Sequence, residues 1–515
     1  MNGETNPPRI PAKPRRSRGS RIRRGCAWGC LGGLLLLLAL VGLVTVLLRK
    51  VPRQYAVVSD PIPPPPLGPG PAGLAGFDSP YLGHTGSWDG KGGAMLGASK
   101  IADLEIERSM GLRWTFMPVY WKAMERDGPV DLARETPPAW QELDGFVAAA
   151  QARGLNILMQ APVMGGNAGG PPAWAGRRQK GRSAPGDMAA AAAFAGKLAA
   201  RYRPGGTFPT AQGWGDRYGV RAWELDNEPE SYLVNWRGQA GDYAEFVTEI
   251  AAKLRQADPR AVILAPAMAG GGDNLPWLEQ ALDARGLAGS PAFRARATPF
   301  SLGRAIDVVS FHCYEGLETA FSGKDRTLAV DFLEIRRVFD QWEQQPEPFG
   351  YARKTDYWHT EGNYDFLGVM PARRRAAWRV QFMTRAFAAG LRKVAVMDAS
   401  APEQAAVRTY IRALPDPYPM VSATAEAVVS RGQAVAFQHT DRTESSVGRV
   451  WVVWAVAGAG GAVVEVPSPR GAVRVLAVDG TAQTIVVTNG RARVELGGDA
   501  KMAPPVLVVD RERQE

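Results

Sequence analysis

The sequence predicts an α/β protein: a (β/α)8 TIM barrel with a C-terminal antiparallel β-sandwich, preceded by one transmembrane helix. Three observations carry this reading. Between residues 77 and 415, eight short apolar, β-rich runs alternate with Ala-, Arg- and Glu-rich segments of helical period. Beyond that stretch the helical patterns vanish and β-runs follow one another closely. Near the start, residues 26–48 carry no charge at all. A chain of 515 residues with 45% hydrophobic and 9% aromatic content is long enough to bury the cores of two or more domains.

Residues 1–25 read as a basic cytoplasmic tail. Eleven of the chain's 61 Lys and Arg lie within residues 1–53 against one acid, Glu4, so that segment accounts for the whole net charge of +10. The body that follows is balanced in charge and has no basic-aromatic cluster, which predicts no nucleic-acid partner. The uncharged "CAWGCLGGLLLLLALVGLVTVLL", residues 26–48, would form a helix of roughly 35 Å. A hydrocarbon core is roughly 30 Å thick. Lys and Arg are denser before this segment than after it, so the positive-inside bias predicts a single-pass membrane anchor, N-terminus cytoplasmic and body extracytoplasmic. A cleaved signal peptide is the alternative, but the run is long for one and "RKVPRQY" offers no small-x-small cleavage site.

Residues 49–76 form a Pro-rich linker, extended at about 3.1 Å per residue. The GxGxxG from Gly68 to Gly73 falls inside it, without the strand and helix a dinucleotide site needs. Cys26 and Cys30 belong to the apolar span and Cys313 stands alone in the body, so no disulfide framework is expected.

Within residues 77–415 the predicted strands are "SPYLGHTG" (79–86), "GLRWTFMPV" (111–119), "LNILMQAP" (155–162), "VRAWELDN" (220–227), "AVILAPA" (261–267), "DVVSFHCY" (307–314), "DYWHTE" (356–361) and "KVAVMDA" (393–399). Helical candidates such as "AWQELDGFVAAAQARG" and "AAAAAFAGKLAARY" lie between them. An open doubly wound sheet is the alternative, and it would show a Gly-rich phosphate turn after an early strand; none is present. Residues 416–515 contain "AVAFQHT", "VGRVWVVWAVA", "GAVVEVP", "AVRVLAVDG", "QTIVVTNGRARVEL" and "PPVLVVD", the pattern of a small β-sandwich. Such a domain either binds glycan or packs against the barrel to stabilise it, the second being the simpler expectation.

Reacting groups in a barrel sit where the strands end. Glu228 closes the fourth strand, in "LDNEPE", and Glu361 closes the seventh, in "YWHTEGNY". The curvature of the barrel can bring these ends across the mouth from one another. Two facing carboxylates are what glycosidic bond cleavage requires: one protonates the leaving oxygen, the other attacks the anomeric carbon or activates water. The acid must stay protonated near neutral pH while its partner is ionised, which close carboxylates and unequal burial can arrange. Strand alternation places Glu224 and Asp226 deeper, where hydrogen bonds or ion pairs with Arg residues of neighbouring strands are expected, and leaves Glu230 as a solvated or helix-start acid.

On "WELDNEP" and "TEGNY" the chain resembles the retaining glycoside hydrolases of clan A, whose fourth strand ends in Asn-Glu-Pro. The form "WE..NEP" is similar to family 39, and "LDNEP" with "TEGNY" is similar to family 44; both families combine a barrel with a β-domain. The resemblance covers roughly residues 80–415. It implies that Glu228 is the general acid/base, that Asn227 bonds the sugar hydroxyl beside the anomeric carbon, and that Glu361 is the nucleophile. "SFHCY" is similar to the His-x-Tyr ending the sixth strand in those families, which would put His312 and Tyr314 near the carboxylates. The chain departs from its relatives in having Phe116 or Met117 where a basic residue commonly ends the second strand, and "VMDAS" where many have Trp.

Sugar rings stack on aromatic faces. Trp88, Trp121, Trp174, Trp236 and Trp277 fall in or near predicted strand-to-helix loops, and Trp174 is the chosen platform because its loop, "GGNAGGPPAWAGRRQKGRSAPG", is long and rich in Gly and Pro. The basic cluster Arg177, Arg178, Lys180 and Arg182 is either solvated or attracts an acidic polysaccharide. With four histidines and no HExxH, GxSxG or P-loop, no metal or other cofactor is expected. The function these readings predict is a membrane-anchored, outward-facing retaining hydrolase of a β-linked polysaccharide or oligosaccharide. A catalytically silent glycan-binding or polysaccharide-assembly protein on the same scaffold is the alternative, and nothing in the sequence bears on oligomeric state.

Overall fold

The computed structural model describes residues 78–84, 98–164, 170–178, 184–231, 240–283, 302–315, 327–345, 351, 353–362, 371–397, 399–419, 424, 426–430, 432–440, 447–455, 462–496 and 505–510. The basic tail, the anchor expected at 26–48 and the linker at 49–76 lie outside them. Among the described residues no helix is long and apolar enough to cross a membrane.

Eight parallel strands close into a barrel in sequence order: β1 (Tyr81–His84), β2 (Trp114–Tyr120), β3 (Asn156–Val163), β4 (Ala222–Glu224), β5 (Val262–Ala269), β6 (Val308–His312), β7 (Tyr357–Glu361) and β8 (Lys393–Met397). Closure runs from Tyr81 opposite Val394 to His84 opposite Met397. The helices that follow each strand in turn are α1 (Ala98–Met110), α2 (Pro138–Ala152), α3 (Met188–Tyr202), α4 (Ala240–Ala257), α5 (Leu275–Leu282), α6 (Leu328–Glu343), α7 (Ala372–Ala389) and α8 (Ala401–Ala413). Their ends carry local signals. The Asp187 carboxylate accepts from the Ala190 amide at 2.8 Å to start α3, Ser400 and Glu403 form a capping box on α8, and Gly390, at φ 104°, ends α7.

The barrel interior is layered by the two-residue period of its strands. Leu82, Leu158, Ala222, Val308 and Trp358 belong to an apolar floor. Two residues further along the same strands stand His84, Gln160, Glu224, Ser310 and Thr360, a buried polar layer just below the mouth. The side chains that close the strands therefore rest on hydrogen-bonding groups, and the oily floor lies beneath those.

After α8 the chain builds two antiparallel sheets. One orders β10 (Val428–Ser430), β13 (Ala462–Pro467) and β16 (Arg491–Leu496); the other orders β15 (Ala482–Val486), β14 (Ala472–Ala477), β17 (Val506–Asp510), β12 (Val447–Ala455), β11 (Gly432–Thr440) and β9 (Tyr418–Pro419). Their inner faces meet over Trp451, Val453, Val464, Val494 and Val508. The sandwich rests on the barrel's last two helices, with β9 against α7 and β17 against α8.

Candidate active site

The fourth strand ends early. After Glu224 the chain leaves regular extended geometry, and Asp226 and Glu228 take left-handed φ values of 63° and 44°. Side chains other than glycine rarely adopt this region, and such strain concentrates at functional sites. Neighbouring elements hold it in place. The Glu228 amide donates to the Ala267 carbonyl at 3.0 Å, the Tyr243 hydroxyl on α4 donates to the Leu225 carbonyl at 2.8 Å, and Asp226 Oδ1 accepts from the Met164 amide at 2.7 Å.

The seventh strand delivers Glu361. Gly362 follows it because a Cβ there would lie 2.0 Å from the Cys313 carbonyl oxygen and 2.5 Å from His359 Nε2. Against the two glutamates lies His312, the last residue of β6 and fully buried. Its Nδ1 is 3.0 Å from Glu228 Oε1 and 3.9 Å from Glu361 Oε2. One oxygen of each glutamate and a ring nitrogen of His312 all lie within 4.8 Å of one another. The carboxylates are 14% and 17% exposed, so each can be reached from the mouth. The Tyr314 hydroxyl donates to Glu361 Oε1 and lies 3.9 Å from Met397 Sδ on β8.

Burial disfavours a charge on His312, but the charge of Glu361, the hydrogen bond and charge of Glu228, and the charge of Glu224 outweigh it and raise the imidazole to about 9. At neutral pH the imidazole is therefore a cation lying against Glu228 and Glu361. Glu228, His312 and Glu361 are also the described residues that could grasp a divalent metal. That would require a neutral imidazole, so proton and metal would compete for the same ring.

Asn227 is half-buried beside Glu228, and its Oδ1 accepts from Gln160 Nε2 at 3.2 Å. Gln160 also donates to Glu224 Oε2 at 2.9 Å, and the Thr360 hydroxyl donates to Glu224 Oε1 at 2.7 Å. Glu224 is thus the node beneath the site, joined to Asn227 through Gln160 and to Glu361 through its chain neighbour Thr360. These contacts bear out the expected hydrogen bonds of Glu224 and Asp226 within the barrel, and the donors they show are amide, hydroxyl and backbone groups where Arg was expected. The expectation for Glu230 is corrected. It is 8% exposed, accepts from the Ala269 amide at 2.6 Å, and is raised to about 8 by burial and the nearby charge of Glu228.

The second strand runs beyond Phe116 and Met117, both buried, to Tyr120. Tyr120 is the residue this strand presents at the mouth, and burial together with the charges of Glu361 and Asp226 raises its phenol to about 12. Gln160 was open to inference by counting two residues up from Leu158 along an inward face, whereas Tyr120 was not, because the pairing of β2 with β3 shifts register between Pro118 and Tyr120.

Trp174 is not brought to the carboxylates by any described contact. It is half-buried, its Nε1 donates to the Glu125 carbonyl at 2.7 Å, and its ring meets Trp121 edge-on at 5.5 Å between centroids. Trp121 and Trp277 are buried and belong to the core, while Trp88 and Trp236 lie outside the described residues. In the basic loop, Arg178 is held by Asp242 at 2.7 Å and by Glu245 at 2.7 and 2.8 Å, so its charge is already answered within the protein. Lys180 and Arg182 fall outside the described residues.

No family model matches the chain, and no curated protein matches it. Solved structures do. The bifunctional glucanase-xylanase CelM2 from a metagenome library is similar over 84% of this chain and 96% of its own, at 15% identity and a TM-score of 0.52. A glucosidase from Croceicoccus marinus is similar over 84% and 96%, at 12% identity and a TM-score of 0.54. A family 39 β-xylosidase from Caulobacter crescentus is similar over 86% and 98%, at 14% identity and a TM-score of 0.50. The likeness at these identities is one of fold: the chain has the fold of clan A glycoside hydrolases.

Proposed function

We propose that this protein is a retaining glycoside hydrolase, anchored in a membrane by residues 26–48 with its barrel outside, and that it cleaves β-glycosidic bonds of a polysaccharide or oligosaccharide. The observation that carries the reading is the carboxylate pair: Glu228 and Glu361, from opposite sides of the mouth, have oxygens within 4.8 Å of one another. Retaining enzymes hold their carboxyl groups at roughly 5–5.5 Å and inverting ones at roughly 6.5–9.5 Å, and a contact this short between one oxygen of each group favours the closer pair. In the first step Glu361 attacks the anomeric carbon while Glu228 gives the departing oxygen the proton it draws from its contact with His312 Nδ1. In the second, Glu228 deprotonates water, which displaces Glu361 from the glycosyl ester. His312, cationic against the two, supports an ionised Glu361, as does the hydroxyl of Tyr314. The hydrolases that share the fold include a glucanase-xylanase and a β-xylosidase, so β-glucans and xylans head the substrate panel.

The test uses residues 54–515 and measures reducing sugar released from β-glucans, xylans, xyloglucan and mannans, with the anomer of the first product read by proton NMR. Cleavage with a β product, lost by more than about a hundredfold in both Glu228→Gln and Glu361→Gln, is the expected result. An α product would turn the mechanism to inversion. A folded parent that binds a glycan and cleaves none would make the chain a glycan-binding scaffold.

A further inference from the structure

Tyr314 reaches Glu361 from a segment that has already left its strand, since β6 ends at His312. The next residue accounts for its placement. Glu315 is fully buried, and its two oxygens accept from Arg385 Nη2 at 3.1 and 2.8 Å. Oε2 also accepts from Trp378 Nε1 at 2.9 Å, and Oε1 from the Leu328 amide at 3.2 Å. Arg385 and Trp378 both belong to α7, and Leu328 opens α6. The same α7 carries Arg379, whose Nη2 donates to the Met397 carbonyl at the end of β8 at 2.8 Å. Met397 in turn presents its sulfur to the Tyr314 hydroxyl. Helix α7 therefore grips the ends of β6 and β8, the strands on either side of the one that bears Glu361.

A buried ion pair loses hydration that a well-packed apolar pair would not need, so stability alone is a poor reason for one. We propose that Glu315 is a positioning residue for the reaction: held by Arg385, Trp378 and the Leu328 amide, it sets Tyr314 so that its hydroxyl donates to the Glu361 carboxylate. This rests on the hydrolase reading above. Displacing the phenol would remove a hydrogen bond that orients the Glu361 carboxylate, which lowers turnover more than substrate affinity.

The experiment is a double-mutant cycle on the full-length protein in detergent, with Glu315→Gln, Tyr314→Phe and the double variant, each checked for folding by circular dichroism and thermal melting. Each single change is expected to lower kcat about tenfold or more while KM moves less than about threefold. The double variant should fall within about twofold of Tyr314→Phe, because both changes remove the same interaction. Trp378→Phe, which keeps the Arg385 pair, takes the place of Glu315→Gln if the latter does not fold. Losses that multiply in the double variant, or a folded Glu315→Gln with the parent's kcat, overturn the positioning role and leave the hydrolase reading standing. A parent that cleaves no glycoside overturns the hydrolase reading and this role with it.

Discussion

At the scale of single residues, the acids of "WELDNEPE" have four different fates. Glu224 is a buried hydrogen-bonding node, Asp226 ties the strained turn to the loop after β3, Glu228 faces the mouth, and Glu230 is buried against β5. The last makes a pH-dependent prediction. Its folded value of about 8 lies above the ordinary 4.5, so its contribution to stability is complete below pH 4.5 and is lost as pH rises through about 8. His312 has the same sign over a later window, from 6.5 to about 9. Urea unfolding between about pH 5 and 6.5 thus separates them: the parent should lose stability with rising pH and Glu230→Gln should lose less. Equal slopes in the two proteins would contradict the buried, protonated Glu230.

At the scale of elements, α7 ties the barrel's last strands together, because it is buried from Ala376 to Ala389 and carries guanidinium groups into the interior. Arg379 is fully buried, with Nη2 bonded to the Met397 carbonyl and, at 3.2 Å, to Glu403 Oε1. Arg379→Met keeps the volume roughly constant but strands that carbonyl and leaves Glu403 to Arg375 and Ser400 alone. A loss of about 3 kcal/mol in chemical denaturation is expected, and a change below about 0.5 kcal/mol would show that the buried guanidinium does not hold β8. The helix itself was legible as a helical-period segment between the seventh and eighth apolar runs. The destination of its arginines was not, since a run of "ARRRAAWRVQFMTRAFAA" reads as a charged outer face until its neighbours are known.

At the scale of the whole molecule, the barrel and the sandwich pack against one another through α7, α8, β9 and β17, which suits a domain that supports the barrel. The proposed anchor makes a separate prediction. Full-length protein should stay with the membrane fraction after alkaline carbonate washing, and residues 54–515 should not. Protease added outside sealed cells should release the barrel; a barrel protected from it would reverse the orientation inferred from the basic tail.

The sequence by itself determined the alternation of strand and helix and singled out Glu228, four residues past the end of β4, and Glu361, the last residue of β7, because periodicity is written locally along the chain. It also carried the buried polar layer, visible once the strands are aligned by their two-residue period. Only the tertiary structure decided who meets whom: Gln160 and Thr360 reach Glu224 from 64 and 136 residues away, and Glu315 meets Arg385 across 70. It decided, too, that β2 extends to Tyr120, that Trp174 lies against Trp121, and that Glu230 is buried. The physical reason is shared by all of them. Barrel closure sets the register between strands, and past a strand's end the direction of a side chain follows from what packs beside it and no longer from the local period.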